Sequence, residues 1–265
     1  MLKKPYRPEH GFNRMRSEGD VGAARANFFK SKSHNLKFLL QNRFEWMNQY
    51  IKPGDKGVEV GAGAGLSKLF IKADKFLLSD YAPNDWLDVK NVDALKTPFA
   101  DAEFDFVVSS NMIHHTPYPV MFFEEMRRIL KPGGVLLIQE INASFFMRLI
   151  LKAMRHEGYS FEPDVFDRNK ICTDPNDLWS ANCAIPNLLF DDVEKFKNKI
   201  PYFRLEKTGF SEFFNFINSG GVIAKTVYVP LPIFALKILK FKDDILTRLF
   251  PQIFALQRQI VLRKI

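Results

Sequence analysis

Apolar residues recur at three- and four-residue intervals at Leu36, Leu39, Leu40, Phe44, Met47 and Ile51, which predicts an amphipathic helix ended by Pro53-Gly54. The period then changes. Gly57-Val58-Glu59-Val60 predicts a short strand, followed by Gly61-Ala62-Gly63-Ala64-Gly65 and a helix through Phe70-Ile71. Lys75-Phe76-Leu77-Leu78-Ser79 predicts a second strand closed by Asp80, and a third is expected near Val89 to Val92. Phe104-Asp105-Phe106-Val107-Val108-Ser109 has the continuous apolar character of a buried strand. Helical spacing returns at Phe122, Met126, Ile129 and Leu130, before a tight turn at Lys131-Pro132-Gly133-Gly134 and a fifth strand at Val135-Leu136-Leu137-Ile138. Strands alternating with helices predict an α/β fold with a parallel sheet and helices on both faces. Beyond Ile141 the pattern loosens. Residues 157–189 scatter Pro, Asn and Asp around Trp179 and read as an inserted cap, while residues 203–210 and 257–262 read as late strands.

With 46% hydrophobic and 14% aromatic residues, the 265-residue chain has ample material for a core. Its charge of +8 is uneven: residues 1–52 carry 11 basic and 4 acidic side chains, residues 225–265 carry 8 and 2, and the middle is acidic. That distribution excludes a dedicated nucleic-acid groove and suits an anionic substrate or membrane surface near the ends. The spacing of Cys172 and Cys183 fits neither zinc nor a disulfide framework, so a cytoplasmic location and no metal are expected. Met1-Leu2-Lys3-Lys4-Pro5 has no apolar stretch after it, so no signal peptide is expected, and no apolar run is long enough to span a membrane. Residues 1–33 read as a basic, poorly periodic leader.

A strand running into Gly-x-Gly-x-Gly and a helix lets backbone approach a ligand closely. Alone, the turn is weak evidence, since plain turns share it. Asp80 lies 19 residues after Gly61 at the end of the second strand, where a carboxylate can accept both hydroxyls of a ribose; a solvated turn acid is the alternative. Asp93 falls near the end of the third strand on the same sheet edge. Three consecutive strand ends therefore carry glycine, acid and acid.

The run Val58-Glu59-Val60-Gly61-Ala62-Gly63-Ala64-Gly65 resembles the first motif of the class I S-adenosylmethionine-dependent methyltransferases. Asp93-Ala94 with Pro98-Phe99 and the strand at Phe104 resembles the second, and Ile113-His114-His115 with Glu125-Met126-Arg127-Arg128-Ile129-Leu130-Lys131-Pro132-Gly133-Gly134 completes the pattern over roughly residues 55–141. The resemblance is to the ubiquinone-type, or methyltransferase type 11-like, group. It implies a Rossmann-like, mostly parallel seven-stranded sheet plus an inserted α-rich cap, with S-adenosylmethionine as cofactor. Glu59 and the backbone of Gly61, Ala62, Gly63 and Gly65 would then hold the methionine end, Asp80 the ribose, and Asp93 with Ala94 the adenine, while Asn111 would line the site. One departure is the segment 81–89, broken by Pro83 and shorter than the helix the family carries there. The implied organisation is a leader and lid helix at 1–52, a cofactor core at 53–141, a cap at 142–202, and a C-terminal completion of the sheet with a basic amphipathic helix at 203–265.

Methyl transfer from a sulfonium is mainly an alignment problem, but a hydroxyl acceptor also needs a base. His115, His114 and Glu140 are the candidates, against alternatives in which the histidines serve the fold and Glu140 is a solvated strand end. Phe28, Phe29 and His34 suit a lid or the core; Asp177, Trp179 and Asn182 suit a polyol site or a stapled loop. Oxygen of a small molecule, or of a sugar or lipid-linked envelope intermediate, is the expected acceptor, since residues 109–112 read Ser-Ser-Asn-Met and carry no Asn/Asp-Pro-Pro-Tyr motif. A catalytically silent cofactor-binding scaffold is the alternative; a nicotinamide dehydrogenase is disfavoured because the third glycine comes one residue early for Gly-x-Gly-x-x-Gly. Within residues 230–249, Phe234, Ile238, Phe241, Ile245 and Leu249 share one helical stripe and Lys237, Lys240, Asp244 and Arg248 another. Such a helix covers its own core, grips an acidic partner, or makes a peripheral contact at the inner face of the membrane.

Overall fold

Alternation along the central strands sends successive side chains to opposite faces, and the two faces are covered by different helices. The computed structural model describes residues 4–8, 21–30, 34–155, 157–177, 179–221 and 226–265. Among the described residues seven strands form one sheet: β1 (Lys56–Val60), β2 (Lys75–Asp80), β3 (Val89–Lys90), β4 (Phe104–Ser110), β5 (Leu130–Ile141), β6 (Phe203–Ser211) and β7 (Gln257–Lys264). Their order is β3-β2-β1-β4-β5-β7-β6; the first five run parallel and β7 is antiparallel to both neighbours. The Rossmann-like α/β arrangement is thus the observed one.

Among the described helices are α1 (Val21–Lys30), α2 (His34–Phe44), α3 (Pro119–Ile129), α4 (Phe145–Met154), α5 (Ile185–Phe190), α6 (Val193–Lys199), α7 (Phe214–Ile217), α8 (Ile233–Leu249) and α9 (Pro251–Phe254). Val58, Val60, Val107, Leu136 and Ile138 point into a core with Phe122, Phe123 and Met126 of α3 and Leu189 and Phe196 of α5 and α6. Phe106, Val108, Val135 and Leu137 pack on the other face against Leu36, Leu39, Leu40 and Phe44 of α2. Burial of these side chains contributes roughly 1.5–3 kcal/mol each.

Four local expectations change. The leader reading misses α1, which buries Val21 and Ala24; residues 1–3, 9–20 and 31–33 lie outside the described residues, so the signal-peptide expectation is not addressed. The helix expected over 36–51 ends as α-helix at Phe44 and continues as a 3-10 helix, Glu45–Tyr50. After the glycine turn only one 3-10 turn, Leu66–Leu69, forms. The chain must enter β2 by Lys75, and Asn48 takes over the helical bonding there, donating to the Phe70 carbonyl and accepting from the Lys72 amide. The turn at residues 131–134 is taken up inside β5 as a register shift between the Phe104–Leu130 and Phe106–Val135 pairs, with Gly133 at φ +75°. Among the described residues, no helix is long and apolar enough to cross a membrane.

Candidate functional site

The carboxyl ends of β1, β2, β4 and β5 carry the predicted site residues to one edge of the sheet, the edge where open α/β sheets bind ligands. Gly61, Gly63 and Gly65 all adopt positive φ (+73°, +49° and +62°), so each step of the turn uses backbone that glycine enters without strain. A Cβ on Gly61 would strike Met112 at 2.3 Å, and one on Gly65 would strike Trp86 at 2.8 Å, whereas a Cβ on Gly63 would meet nothing within 4 Å. Gly63 therefore faces open space at the centre of the turn.

Asp80 is tied directly to that turn: its Oδ2 accepts the Gly63 amide at 2.7 Å and its Oδ1 accepts the Ala82 amide at 2.9 Å. Each oxygen retains a further lone pair for a ligand hydroxyl. The Ala62 amide donates to the Ser79 carbonyl, which locks the turn against β2. Glu59 is fully buried and bonded to Ser67, and burial, reinforced by Asp80, pushes its carboxyl up to about 8. Protonated at neutral pH, it joins β1 to the segment after the turn. Asp93 is exposed and accepts the Leu95 amide at 2.8 Å, while Ala94 packs half-buried against the core. Asn111 sits at φ +50° and its amide donates to the Gln139 carbonyl.

Two contributors to the glycine turn lie outside the sequence prediction. Trp86 Nε1 donates to the Gly63 carbonyl at 2.9 Å, and Arg25 of α1 donates to the Ala64 carbonyl at 2.7 Å. The Arg25 guanidinium also lies over the Trp86 ring, 5.2 Å from its centroid. Trp86 takes the place of the missing helix between β2 and β3; a lone tryptophan six residues after Asp80 was the available signal. Phe28 packs half-buried against the core while Phe29 is exposed, and His34 is exposed.

At the end of β4 the two histidines differ sharply. His114 Nδ1 lies 2.7 Å from Glu140 Oε2, and its Nε2 lies 3.5 Å from Glu157. Burial opposes charge on His114, but the two carboxylates outweigh it and raise the ring to about 10. His115 Nδ1 lies 3.1 Å from the Ser180 carbonyl, which can only accept, so Nδ1 carries the proton and Nε2 presents a lone pair. Burial, then the neighbouring charged His114, lowers His115 to about 4. His115 Nε2 lies 3.7 Å from Glu157 Oε1.

Glu140 is not the solvated strand end of the alternative expectation: it is wholly buried and accepts the amides of Met112, Ile113 and Ile141 as well as the His114 ring. Burial would raise its carboxyl, but His114 and these donors outweigh that and hold it low. His114 is likewise buried, 2% exposed, with one ring nitrogen occupied by Glu140. The cap closes over the pair, with the Asn182 amide donating to the His114 carbonyl and Thr173 Oγ1 to the His115 carbonyl. Asn182 accepts the Ser160 and Ala184 amides and donates to the Ser160 carbonyl, so it staples the loop, whereas the half-exposed Trp179 ring stands 6.4 Å from His115.

Donor atoms of His114, Glu157 and Cys183 fall within 4.8 Å of one another, a metal-like grouping where the sequence predicts none. They satisfy one another as a polar network: Cys183 donates to Glu157 at 3.2 Å, and burial holds the thiol protonated. A cleft of about 400 Å³ beside α8, lined by Trp46, Phe210, Glu212 and Asn215 among others, holds none of the predicted site residues.

The family model described as a methyltransferase domain matches residues 58–138, the stretch from β1 through β5. A demethylmenaquinone methyltransferase of Mycobacterium sp. (strain JLS) is 30% identical over 120 residues, 39% of this chain and 52% of the relative. A polyketide synthase-nonribosomal peptide synthetase of Talaromyces wortmannii, TwmB, is 34% identical over 79 residues, 28% of this chain and 3% of that protein. The chain thus spans about half of one relative and a small fraction of the other. A solved SAM-dependent methyltransferase from Archaeoglobus fulgidus shares the fold at a TM-score of 0.50 and 16% identity, covering 90% of this chain and 99% of that one. The glycine turn, the acid at the end of β2 and the matched stretch coincide, and over residues 58–138 the chain carries a class I S-adenosylmethionine-dependent methyltransferase domain.

Proposed function

We propose that the chain transfers the methyl group of S-adenosylmethionine to an oxygen of a small molecule or of a sugar or lipid-linked intermediate, with His115 receiving the acceptor's proton. The observation that carries this reading is the Asp80–Gly63 contact at 2.7 Å, which places a carboxylate beside the open centre of the glycine turn. The cradle fits the cofactor. Gly61 to Gly65 leave bare backbone for the methionine end, Asp80 has lone pairs for ribose hydroxyls, and Asp93 with Ala94 lies beyond β3 for the adenine. When bound, the cofactor supplies a methyl group on a good leaving group, so alignment is the protein's main task.

The remaining roles fall to the end of β4. His115 is neutral at cellular pH and its tautomer is set by Ser180, which leaves Nε2 to take a hydroxyl proton. Glu157 beside Nε2 stabilises the imidazolium that results. Glu140 and His114 hold the loop that presents His115, and Trp179 offers an aromatic wall next to it. The mycobacterial relative is named for demethylmenaquinone, and an amphiphilic acceptor would accord with a peripheral contact of residues 230–250 at the inner membrane face.

Calorimetry with S-adenosylhomocysteine and with NAD tests the cofactor reading. Heat is expected with the first alone, and it should be lost in Asp80→Ala. Radiolabelled methyl transfer to a panel of phenols, sugars and lipid-linked alcohols tests the base, with His115→Asn expected to lower kcat about 100-fold while S-adenosylhomocysteine affinity holds. Affinity for NAD alone, or an Asp80→Ala protein that binds as well as the parent, would sink the proposal.

A further inference from the structure

Helix α8 is attached to the molecule by the wrong face for an ordinary amphipathic helix. Its buried residues are Leu236, Asp243 and Thr247. Asp243 accepts the amides of Phe214 and Asn215 and the Asn215 side chain, capping α7, and Thr247 Oγ1 donates to the Phe210 carbonyl of β6. The apolar stripe looks outward: Phe234 is 67% exposed, Ile238 52%, Phe241 66%, Ile245 42% and Leu249 63%. Ile233 extends the band at one end and Phe250 and Ile253 at the other, all exposed. A 17-residue helix is about 25 Å long, so this is a contiguous apolar ridge far larger than scattered surface residues produce.

The charges beside the ridge decide what covers it. At 100° per residue, Lys237 and Arg248 fall on one side of the stripe and Lys242 on the other, all exposed. Asp244, the acid on this surface of the helix, is held by Lys240 at 2.6 Å. The helix itself carries four basic side chains against two acidic ones, of which Asp243 is buried. Pairing with a second copy through the same face would set these basic flanks against each other, since a two-fold contact uses one patch twice. The ridge follows the outward stripe of a single helix, which suits a plane. An anionic bilayer supplies both an apolar layer below and negative headgroups alongside, and long basic side chains reach those headgroups with their stems along the apolar boundary.

We propose that α8 lies in the surface of an anionic lipid bilayer, with Phe234, Phe241 and Leu249 inserted beneath the headgroups and Lys237, Lys242 and Arg248 on lipid phosphates. This rests on the peripheral contact proposed above and is independent of the methyl-transfer chemistry. The membrane would then hold an amphiphilic acceptor and the enzyme on one surface.

The test is co-sedimentation of the full chain with vesicles of phosphatidylcholine alone and of phosphatidylcholine with phosphatidylglycerol. Binding is expected only with the anionic vesicles and should weaken with salt. The triple variant Lys237→Gln, Lys242→Gln, Arg248→Gln should lose roughly 100-fold in affinity, and Phe234→Ser, Phe241→Ser, Leu249→Ser should abolish binding. S-adenosylhomocysteine calorimetry on each variant confirms an intact fold and separates the two proposals, because loss of docking with retained ligand heat leaves the methyltransferase reading standing. Parental protein that stays in the supernatant, apolar variants that still pellet, or a concentration-dependent dimer dissolved by the apolar variant would each overturn membrane docking.

Discussion

Burial removes solvation from an imidazolium, and His114 and His115 share that cost unequally. His114 keeps its charge because Glu140 and Glu157 face its two nitrogens, and the charge so kept depresses His115 next to it, with ring centroids 4.3 Å apart. The consequence for stability has a definite sign. His114 titrates at about 10 in the fold against 6.5 unperturbed, so its contribution is complete below pH 6.5 and disappears as pH rises through 10. Urea unfolding at pH 7 and pH 10 should show this loss. His114→Gln should be destabilised by about 3 kcal/mol at pH 7, since Glu140 is left buried without its counter-charge, and should fall much less between the two pH values. Equal slopes for parent and variant would remove the charge from His114. His115 carries the opposite sign: lowered to about 4, it is already neutral at pH 6, so turnover should show no acid limb from this group above that pH.

At the scale of elements, the glycine turn separates tolerance in the fold from tolerance in the site. Gly65→Ala puts a Cβ within 2.9 Å of Leu78 and 2.8 Å of Trp86, and melting should fall by an amount typical of overpacking, about 1–3 kcal/mol. Gly63→Ala meets no protein atom and bears only the left-handed backbone cost of about 1–2 kcal/mol, yet its methyl enters the space proposed for the cofactor. It should lose S-adenosylhomocysteine affinity at least as severely as Gly65→Ala while melting higher; the reverse order would place the ligand elsewhere. This turn was legible because strand period, glycines and Asp80 are all local features of the chain. The central strands were legible for the same reason. Helix α1 was not, since two buried residues in ten, Val21 and Ala24, make too thin a stripe among basic neighbours. The apolar period of α8 was readable, but its orientation was not: Asp243 is buried because it caps amides of α7, some 28 residues away in the chain. The site likewise hid Glu157, Ser180 and Arg25, whose roles come from contacts across 39 to 65 residues that no local period encodes.

Across the whole molecule, the late strands do more than widen the sheet, because β7 carries the anchor of the cap. Arg258 is 1% exposed and donates to the Pro186 carbonyl at 2.9 Å, to Asn142 Oδ1 at 2.6 Å and to Asp191 at 2.6 Å. Asn187 of α5 adds bonds to Asn142 and from the Ala143 amide, so the end of β5, the cap helices and β7 form one polar joint. From that joint the cap returns to His114 and His115 through Asn182 and Ser180. The glycine turn, by contrast, is held by β2, Trp86 and α1, with none of these groups involved. Loss of the joint should therefore disturb one half of the site and spare the other. Arg258→Met preserves much of the volume but strands the Asn142 and Pro186 acceptors, so a destabilisation of roughly 3 kcal/mol is expected from thermal melting. Calorimetric affinity for S-adenosylhomocysteine should stay within about twofold, while kcat/KM for the acceptor drops about tenfold or more as His115 loses its fixed tautomer and position. A parallel fall in both quantities would mean that the cap and the cofactor cradle unfold as one unit, and that the division of the site between them is wrong.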